Sequence, residues 1–326
     1  MRHAQNSRVQ NSRVQSTRAQ DGRALLACVI LAHTDPQHVQ RLVRALDPFP
    51  VFLHCDPSTP DDAFAEMTRG LAERAVVMPR IKTGWARWEN VEAELQGYRA
   101  ALATTDATHV AVLTGTDYPL ASSDEISELL GEHAGTSFAL IDPLPHPEWG
   151  RSGGFDRLRY RHWAWRKRMI RLPIPRRLPH GVTFAGGSQL KVLSREHAQA
   201  VLDAVDAHPE LVGFWKRSWV ADETFVPSIL MTERFVPDWE QKHVRATLWW
   251  IGWDGTRRKS PPWLTHEHAE RVLSRRSDAQ QELPHFFARK FSTAESTPLL
   301  DALDAEHVRA GTPGRSAAPA AQDGTP

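Results

Sequence analysis

Chemistry-bearing residues are thinly spread in this chain, and Glu223 stands out first, at the centre of WVADETFVPSIL (219–230). Small and polar residues lead into the carboxylate, and Phe225, Val226, Ile229 and Leu230 follow it with helical apolar spacing. Asp222 reads as an N-cap, which sets Glu223 in a first helical turn where the dipole favours an ionised carboxylate. Beside a cleft, such a carboxylate can take a proton from an incoming hydroxyl. The same residues describe equally well an ordinary first-turn acid. Pro227 makes this helix short or kinked at its start. Other ligand-type residues sit where apolar runs end: His33 and Thr34 after LLACVILA, Asp56 after VFLHC, and Asp117 in TGTDYPL. Asp56, before Pro57, reads as a hydrogen-bond acceptor or as a turn cap. His33 reads as a pocket residue or as a satisfied structural histidine.

The elements that must position these residues alternate. Strands are expected at 25–33, 51–54, 75–81, 109–114 and 138–142. Between them, Asp35 caps a helix through Leu46, and helices follow over 61–74, over 90–103 and from Asp124. This is the pattern of an open, mostly parallel α/β sheet, in which ligands bind beyond the strand carboxyl ends, so His33, Asp56 and the TGTD turn should share one rim. Further on, 184–194 reads as strand-like after a glycine turn, 195–207 as a helix, 235 and 249–253 as a strand pair, and 265–274 as a helix. Residues 1–22, with a tandem QNSRV, QNSRV, QSTRA pattern, read as a disordered basic tail. Residues 23–298 read as one domain with halves at 23–145 and 146–298, and 299–326, rich in Ala, Gly and Pro, as a second disordered tail.

With 40 Lys and Arg against 39 Asp and Glu, the chain has no global pull towards nucleic acid or membrane. The asymmetry is local: residues 151–180 carry ten Arg or Lys against one Asp, interleaved with aromatics. That segment reads as a surface for an anionic or lipid-linked acceptor at a membrane, or as a solvated loop. Twelve Trp residues suit stacking against sugars as well as core packing, and Trp85 and Trp88 read as packing. The two Cys residues, Cys28 and Cys55, lie in strand-like runs and read as a reduced pair, as in a cytoplasmic protein. No apolar run reaches the roughly eighteen residues of a spanning helix, and the run after Arg23 lacks a cleavage site.

Six patterns in order resemble the core-2/I-branching β-1,6-N-acetylglucosaminyltransferase family, which also contains peptide O-xylosyltransferases. They are ILAHTDP with RLVRAL, FLHCDPST, GWARWENVEAEL, LTGTDYPL, GGSQLKVLSREHA with ADETF, and FFARKF, and together they span about residues 25–291. The resemblance implies a GT-A-type glycosyltransferase that inverts the anomeric centre without a metal or other cofactor. The usual metal motif, Asp-x-Asp, does not occur, and Asp238-Trp239-Glu240 lies far too late in the chain to replace it.

The resemblance assigns the catalytic base to Glu223. It also assigns stabilisation of the departing diphosphate to Lys290, because without a cation fixed positive side chains must do this. The family's second cation, an Arg before an aromatic strand, is missing from LWWIGWDG, so Arg257, Arg258 or Arg245 would have to substitute. Asp56, His33 and Thr34 would line the nucleotide pocket, and Asp117 would contact the donor or hold its loop. Ser188 and Gln189, after Gly187, would approach the acceptor, as would an Arg matching Arg157 or Arg159. The implied partners are a UDP-sugar, with UDP-GlcNAc ahead of UDP-xylose, and a carbohydrate, glycolipid or other hydroxyl acceptor. No nucleic acid is expected. The expected setting is the cytoplasm, with peripheral contact at the inner membrane through 151–180. The competing class is a non-catalytic membrane- or nucleic-acid-binding protein that acts through that segment.

Overall fold

The computed structural model describes residues 25–165, 168–255, 260–274 and 283–310. The first part alternates as expected: β1 (Leu26–Ala32), α1 (Pro36–Ala45), β2 (Val51–Cys55), α2 (Asp61–Thr68), β3 (Ala75–Val77), α3 (Trp88–Thr104) and β4 (His109–Thr114). Then come β5 (Asp117–Pro119), α4 (Ser123–Glu132), β6 (Ser137–Phe138), β7 (Ile141–Pro143), α5 (Asp156–Arg159), β8 (Tyr160–Trp165), β9 (Arg168–Pro175), β10 (Ala185–Gly187) and β11 (Lys191–Ser194). The remainder is α6 (Arg195–Ala207), α7 (Pro209–Trp215), a 3-10 turn (Ala221–Glu223), α8 (Phe225–Leu230), β12 (His243–Val244), β13 (Trp249–Ile251), α9 (Ala269–Ser274), β14 (Phe287–Arg289) and α10 (Thr293–Ala310).

The main sheet has the order β12-β6-β11-β4-β1-β2-β3. Only β11 runs antiparallel to its neighbours, so the expected open, mostly parallel sheet is what forms. Because β1 leads outward to β2 and β3 while β4 lies on its other side, the order reverses between β1 and β4. The crevice beyond their carboxyl ends is the switch point where such sheets bind ligands. Strand alternation divides the core: Leu26, Cys28 and Ile30 pack on one face, Ala27 and Val29 on the other, under α3, α6 and α8. β11, from later in the chain, is inserted between β6 and β4, so the sheet draws strands from both parts of the described sequence. Cys28 and Cys55 are free and buried.

Several expectations need correction. The helix from Asp61 stops at Thr68, where Arg69 turns extended and Gly70 takes φ +72°. The strand from Ala75 ends at Val77 on the sheet edge. The basic segment is not a loop throughout but contributes the antiparallel strands β8 and β9. Phe235 lies outside any strand, and β13 pairs with β14 instead. The assignment of 299–310 to a disordered tail also fails. That stretch is helical in α10, with Leu299, Leu300 and Leu303 buried and Arg41 bridging Asp301 and Asp304 at 2.7 Å each. Trp88 is buried against Phe225 as expected, whereas Trp85 is 59% exposed.

Candidate active site

The parallel strands bring three sequence candidates to one rim. Asp56 follows β2, buried, and its carboxylate accepts from the amides of Ser58 (2.7 Å) and Thr83 (2.6 Å) and from the Thr83 hydroxyl. Burial alone would raise its pKa, but these hydrogen bonds prevail and hold it at about 2. Arg80, which sequence reading missed, braces the same loop by donating to the Asp56 carbonyl at 3.0 Å and the Thr59 carbonyl at 2.8 Å. His33 and Thr34 follow β1 and are exposed, and the His33 carbonyl accepts from the Thr59 hydroxyl at 2.8 Å. Asp117 follows β4 and is fully buried. It accepts from the Thr114 hydroxyl (2.6 Å), the Thr114 amide (2.9 Å) and Trp249 Nε1 (3.1 Å), with Arg289 Nε 3.6 Å away. Of its two expected roles, this geometry is that of holding the loop. Burial pushes its carboxyl up, against the opposing pull of Arg289 and Thr114.

The segment after β14 crosses the carboxyl ends of β4 and β1. Arg289 pairs with Asp117 in register, the Phe291 amide donates to the Thr116 carbonyl at 2.8 Å, and Thr293 donates to Asp35 through its amide (2.7 Å) and hydroxyl (2.6 Å). The backbone of Lys290 is thereby held between Asp117 and Thr116, beyond the carboxyl end of β4. Its Nζ donates to Ser260 Oγ at 3.3 Å and lies 3.8 Å from the centre of the Trp263 ring. Burial, and then the neighbouring Arg289, push its ammonium below the usual lysine range.

Glu223 is reached by a different route. Asp222 does not cap α8: it lies inside the 3-10 turn, and α8 starts only at Phe225. The turn is set instead by Val220, whose φ of 53° reverses the backbone and whose amide donates to the Ala86 carbonyl at 3.2 Å. Ala86 itself has φ 62°. Two facing left-handed residues, one of them β-branched, are strain held in place by the surroundings. The Asp222 carboxyl is buried although the residue reaches the surface elsewhere. Asn90 donates to Oδ2 at 3.3 Å, and Oδ1 has no partner among the described residues. Burial, and then the adjacent Glu223, push this carboxyl up to about 6.

Glu223 is more open, its side chain 39% exposed. Arg157 Nη1 donates to Oε2 at 2.5 Å, and among the described residues Oε1 accepts no hydrogen bond. The Arg157 guanidinium stacks on Trp149 at 3.5 Å from the ring centre. Trp149 in turn packs closely against Gly186, where an added Cβ would sit 2.3 Å from the indole. Arg157 therefore meets Glu223, whereas Arg159 points outward over Phe155 at 4.9 Å. Ser188 Oγ accepts from the Leu190 amide at 3.1 Å, and Gln189 Nε2 is buried without a partner among the described residues. Arg245 is engaged by Asp142 through two 2.8 Å bonds, and Arg257 and Arg258 lie outside the described residues.

One loop joins the two halves of the site. Thr83 is fixed on Asp56, the Gly84 amide donates to Asn90 Oδ1 at 3.4 Å, Asn90 holds Asp222, and Ala86 holds Val220. Glu223 is thus tied to the end of β2 as Lys290 is tied to the ends of β4 and β1. Sequence reading missed Thr83, Asn90, Trp149 and Val220. Only Asn90, at the head of the helix in WENVEAEL, carried a local signal.

Among the described residues, no group of three or more His, Cys, Asp or Glu is arranged to hold a metal ion, and no helix is long and apolar enough to cross a membrane. The family model described as Core-2/I-Branching enzyme matches residues 26–275. Xylosyltransferase 1 of Homo sapiens is 24% identical over 313 residues, covering 89% of this chain and 31% of that protein. Xylosyltransferase 1 of Mus musculus is 24% identical over 253 residues, covering 72% of this chain and 25% of that protein. The chain spans about a third or less of the length of these curated relatives. Among solved structures, a putative glucose-1-phosphate thymidylyltransferase from Bacillus anthracis is similar over 55% of this chain and 75% of its own, at a TM-score of 0.29 and 8% identity.

Proposed function

The chain belongs to the Core-2/I-Branching enzyme family, and from that premise we propose that it transfers a sugar from a UDP-sugar to an acceptor hydroxyl by single displacement. The acceptor oxygen attacks the anomeric carbon on the face opposite the diphosphate. Its proton passes to Glu223 Oε1, and the anomeric C–O bond breaks with its electron pair leaving on the diphosphate. The configuration inverts, and one carboxylate suffices. Lys290 meets the charge that develops on the leaving group and Arg157 fixes the orientation of Glu223. Asp56 and His33 border the nucleotide, while Asp117 and Arg289 hold the loop beneath Lys290. Fixed cations take the place of a metal in this scheme.

The observation that carries the reading is the state of Glu223. It is the half-exposed carboxylate of the site, held by one oxygen from Arg157 with the other left to accept. The names of the relatives favour UDP-xylose as donor, and the resemblance of the motifs favours UDP-GlcNAc. Thermal melts with each UDP-sugar in the presence of EDTA test donor and metal independence together. A bound donor at 100 times its Kd raises stability by about 2.7 kcal/mol. Stabilisation by one UDP-sugar with EDTA present is expected. Stabilisation by neither, or only after a divalent cation is added, overturns the scheme.

A further inference from the structure

The β8–β9 hairpin does not belong to the sheet, and it presents to solvent a surface that the transfer reaction leaves unexplained. Trp163 and Ile170 face each other directly across the two strands, at 65% and 40% exposure, and Ile174 further along is 46% exposed. Three of the eight exposed large apolar residues of the described chain are therefore gathered on one hairpin. A lone exposed apolar residue is unremarkable, but a cross-strand aromatic–aliphatic pair held in the open marks an interaction surface.

Charge surrounds that pair. Arg161 and Arg171 on the hairpin, Arg177 just after it, and Lys216 and Arg217 beside it are exposed, and among the described residues none of the five is in an ion pair. Arg176, beneath them, is spent on the scaffold: it donates to the Phe214 carbonyl, to the Arg217 carbonyl (3.0 Å) and to Ser218 Oγ (3.0 Å). Burial, with Arg161 and Arg217 close by, pushes its guanidinium down to about 10, as expected in a concentrated positive field. A cavity of about 500 Å³ opens between the hairpin and the start of α3, and Arg87, Arg161, Lys216 and Arg217 are among the residues that line it.

We propose that the outer face of this hairpin docks on an anionic lipid bilayer, with Trp163, Ile170 and Ile174 entering the interface and the surrounding arginines and Lys216 meeting the headgroups. Charge complementarity alone would suit a nucleic acid equally well. The exposed aliphatic pair decides between them, because phosphate backbones offer isoleucine nothing, while the acyl boundary does. The hairpin is also rigidly mounted. His162 donates its amide to the Arg217 carbonyl at 2.9 Å and stacks on Trp219 at 6.0 Å, four residues before Glu223. Docking would hold the Glu223 turn near the bilayer surface. This consequence rests on the proposed role of Glu223, whereas docking itself does not.

The test is co-sedimentation of the full chain with phosphatidylcholine vesicles, with and without phosphatidylglycerol. Strong partitioning is expected only onto the phosphatidylglycerol vesicles. Each Lys or Arg near an anionic surface contributes about 1 kcal/mol, so reversing Arg161 and Arg171 to Glu should weaken partitioning by well over about tenfold. Trp163→Ser with Ile170→Ser should weaken it at unchanged salt dependence. All four positions are exposed, and unchanged melting temperatures establish that the variants fold. The proposal is overturned by equal binding to both vesicle types, by no binding, or by binding that ignores both variants. It is overturned too if a short DNA duplex strips the protein from vesicles and its own binding is indifferent to the Trp163 and Ile170 changes.

Discussion

Asp117 at the end of β4 and Glu223 before α8 are both carboxylates near the rim of one sheet, and their surroundings differ in every respect that matters. Asp117 is fully buried and accepts three hydrogen bonds, with Arg289 nearby. Glu223 is half exposed, held through one oxygen, and mounted on a turn whose backbone is strained at Val220. A fully buried carboxylate committed to three internal hydrogen bonds holds structure together and is closed to a substrate. One with an unspent oxygen, aimed by an arginine, has capacity for chemistry and contributes little to the fold. The contrast separates a carboxylate spent on the frame from the one proposed as the reactive group, without reference to either residue's motif.

Exchanging the two roles in mutants gives the largest expected effects. Glu223→Gln keeps the shape and the Arg157 contact but removes the base. Turnover should fall by about 10²–10⁴ while the melting temperature hardly moves. Asp117→Ala should do the reverse. It leaves Trp249 Nε1 and the Thr114 amide without their carboxylate acceptor, and Arg289 without its counter-charge, and should cost roughly 2–4 kcal/mol of stability. Paired denaturant melts and initial rates read both. If Glu223→Gln destabilises as much as Asp117→Ala and leaves turnover intact, the division into frame and reactive group is wrong.

A smaller effect should follow from the stack behind Glu223. Gly186→Ala places a methyl 2.3 Å from Trp149, which must shift and take its hold on Arg157 with it. The expected cost is about 1–3 kcal/mol of stability. Turnover should also fall more than donor binding does, because Arg157 no longer orients the carboxylate. Unchanged turnover in a destabilised variant would confine Arg157 to a structural role.

Much of this arrangement was legible before the structure. Apolar runs such as LLACVILA and VFLHC can only be buried strands, and the residues that end them fall on one rim by topology. Glu223 and Lys290 were visible because short motifs carry them. The failures have physical causes. The arginines of 151–180 obscured the alternation that makes β8 and β9 a hairpin, and Pro298 with acidic neighbours hid the leucines that bury α10. Nothing in an Ala or a Val announces a positive φ, so the turn that delivers Glu223 was read as a capped helix. Trp149 and Gly186 are distant in sequence, and their contact exists only once β10 is in place.

The finest test concerns Asp222, which lies between the two extremes: buried like Asp117, adjacent to Glu223, and with one oxygen unpartnered among the described residues. Its carboxyl titrates near 6 in the fold against 3.8 for the reference group. An acid raised in this way favours the protonated fold. It costs nothing below the unfolded pKa, costs progressively more as pH rises from about 4 to about 6, and costs a constant amount above that. Asp222→Asn keeps the oxygen that accepts from Asn90 and cannot ionise. At pH 7–8 the variant should therefore be more stable than the parent by about 3 kcal/mol, while near pH 4 the two should melt together. A difference that is the same at both ends of this range would mean that ionisation of Asp222 plays no part. If the stabilised variant also turns over more slowly, the cost that Asp222 imposes on the fold is tied to the electrostatics of its neighbour Glu223, and the turn is tuned for chemistry at the expense of stability.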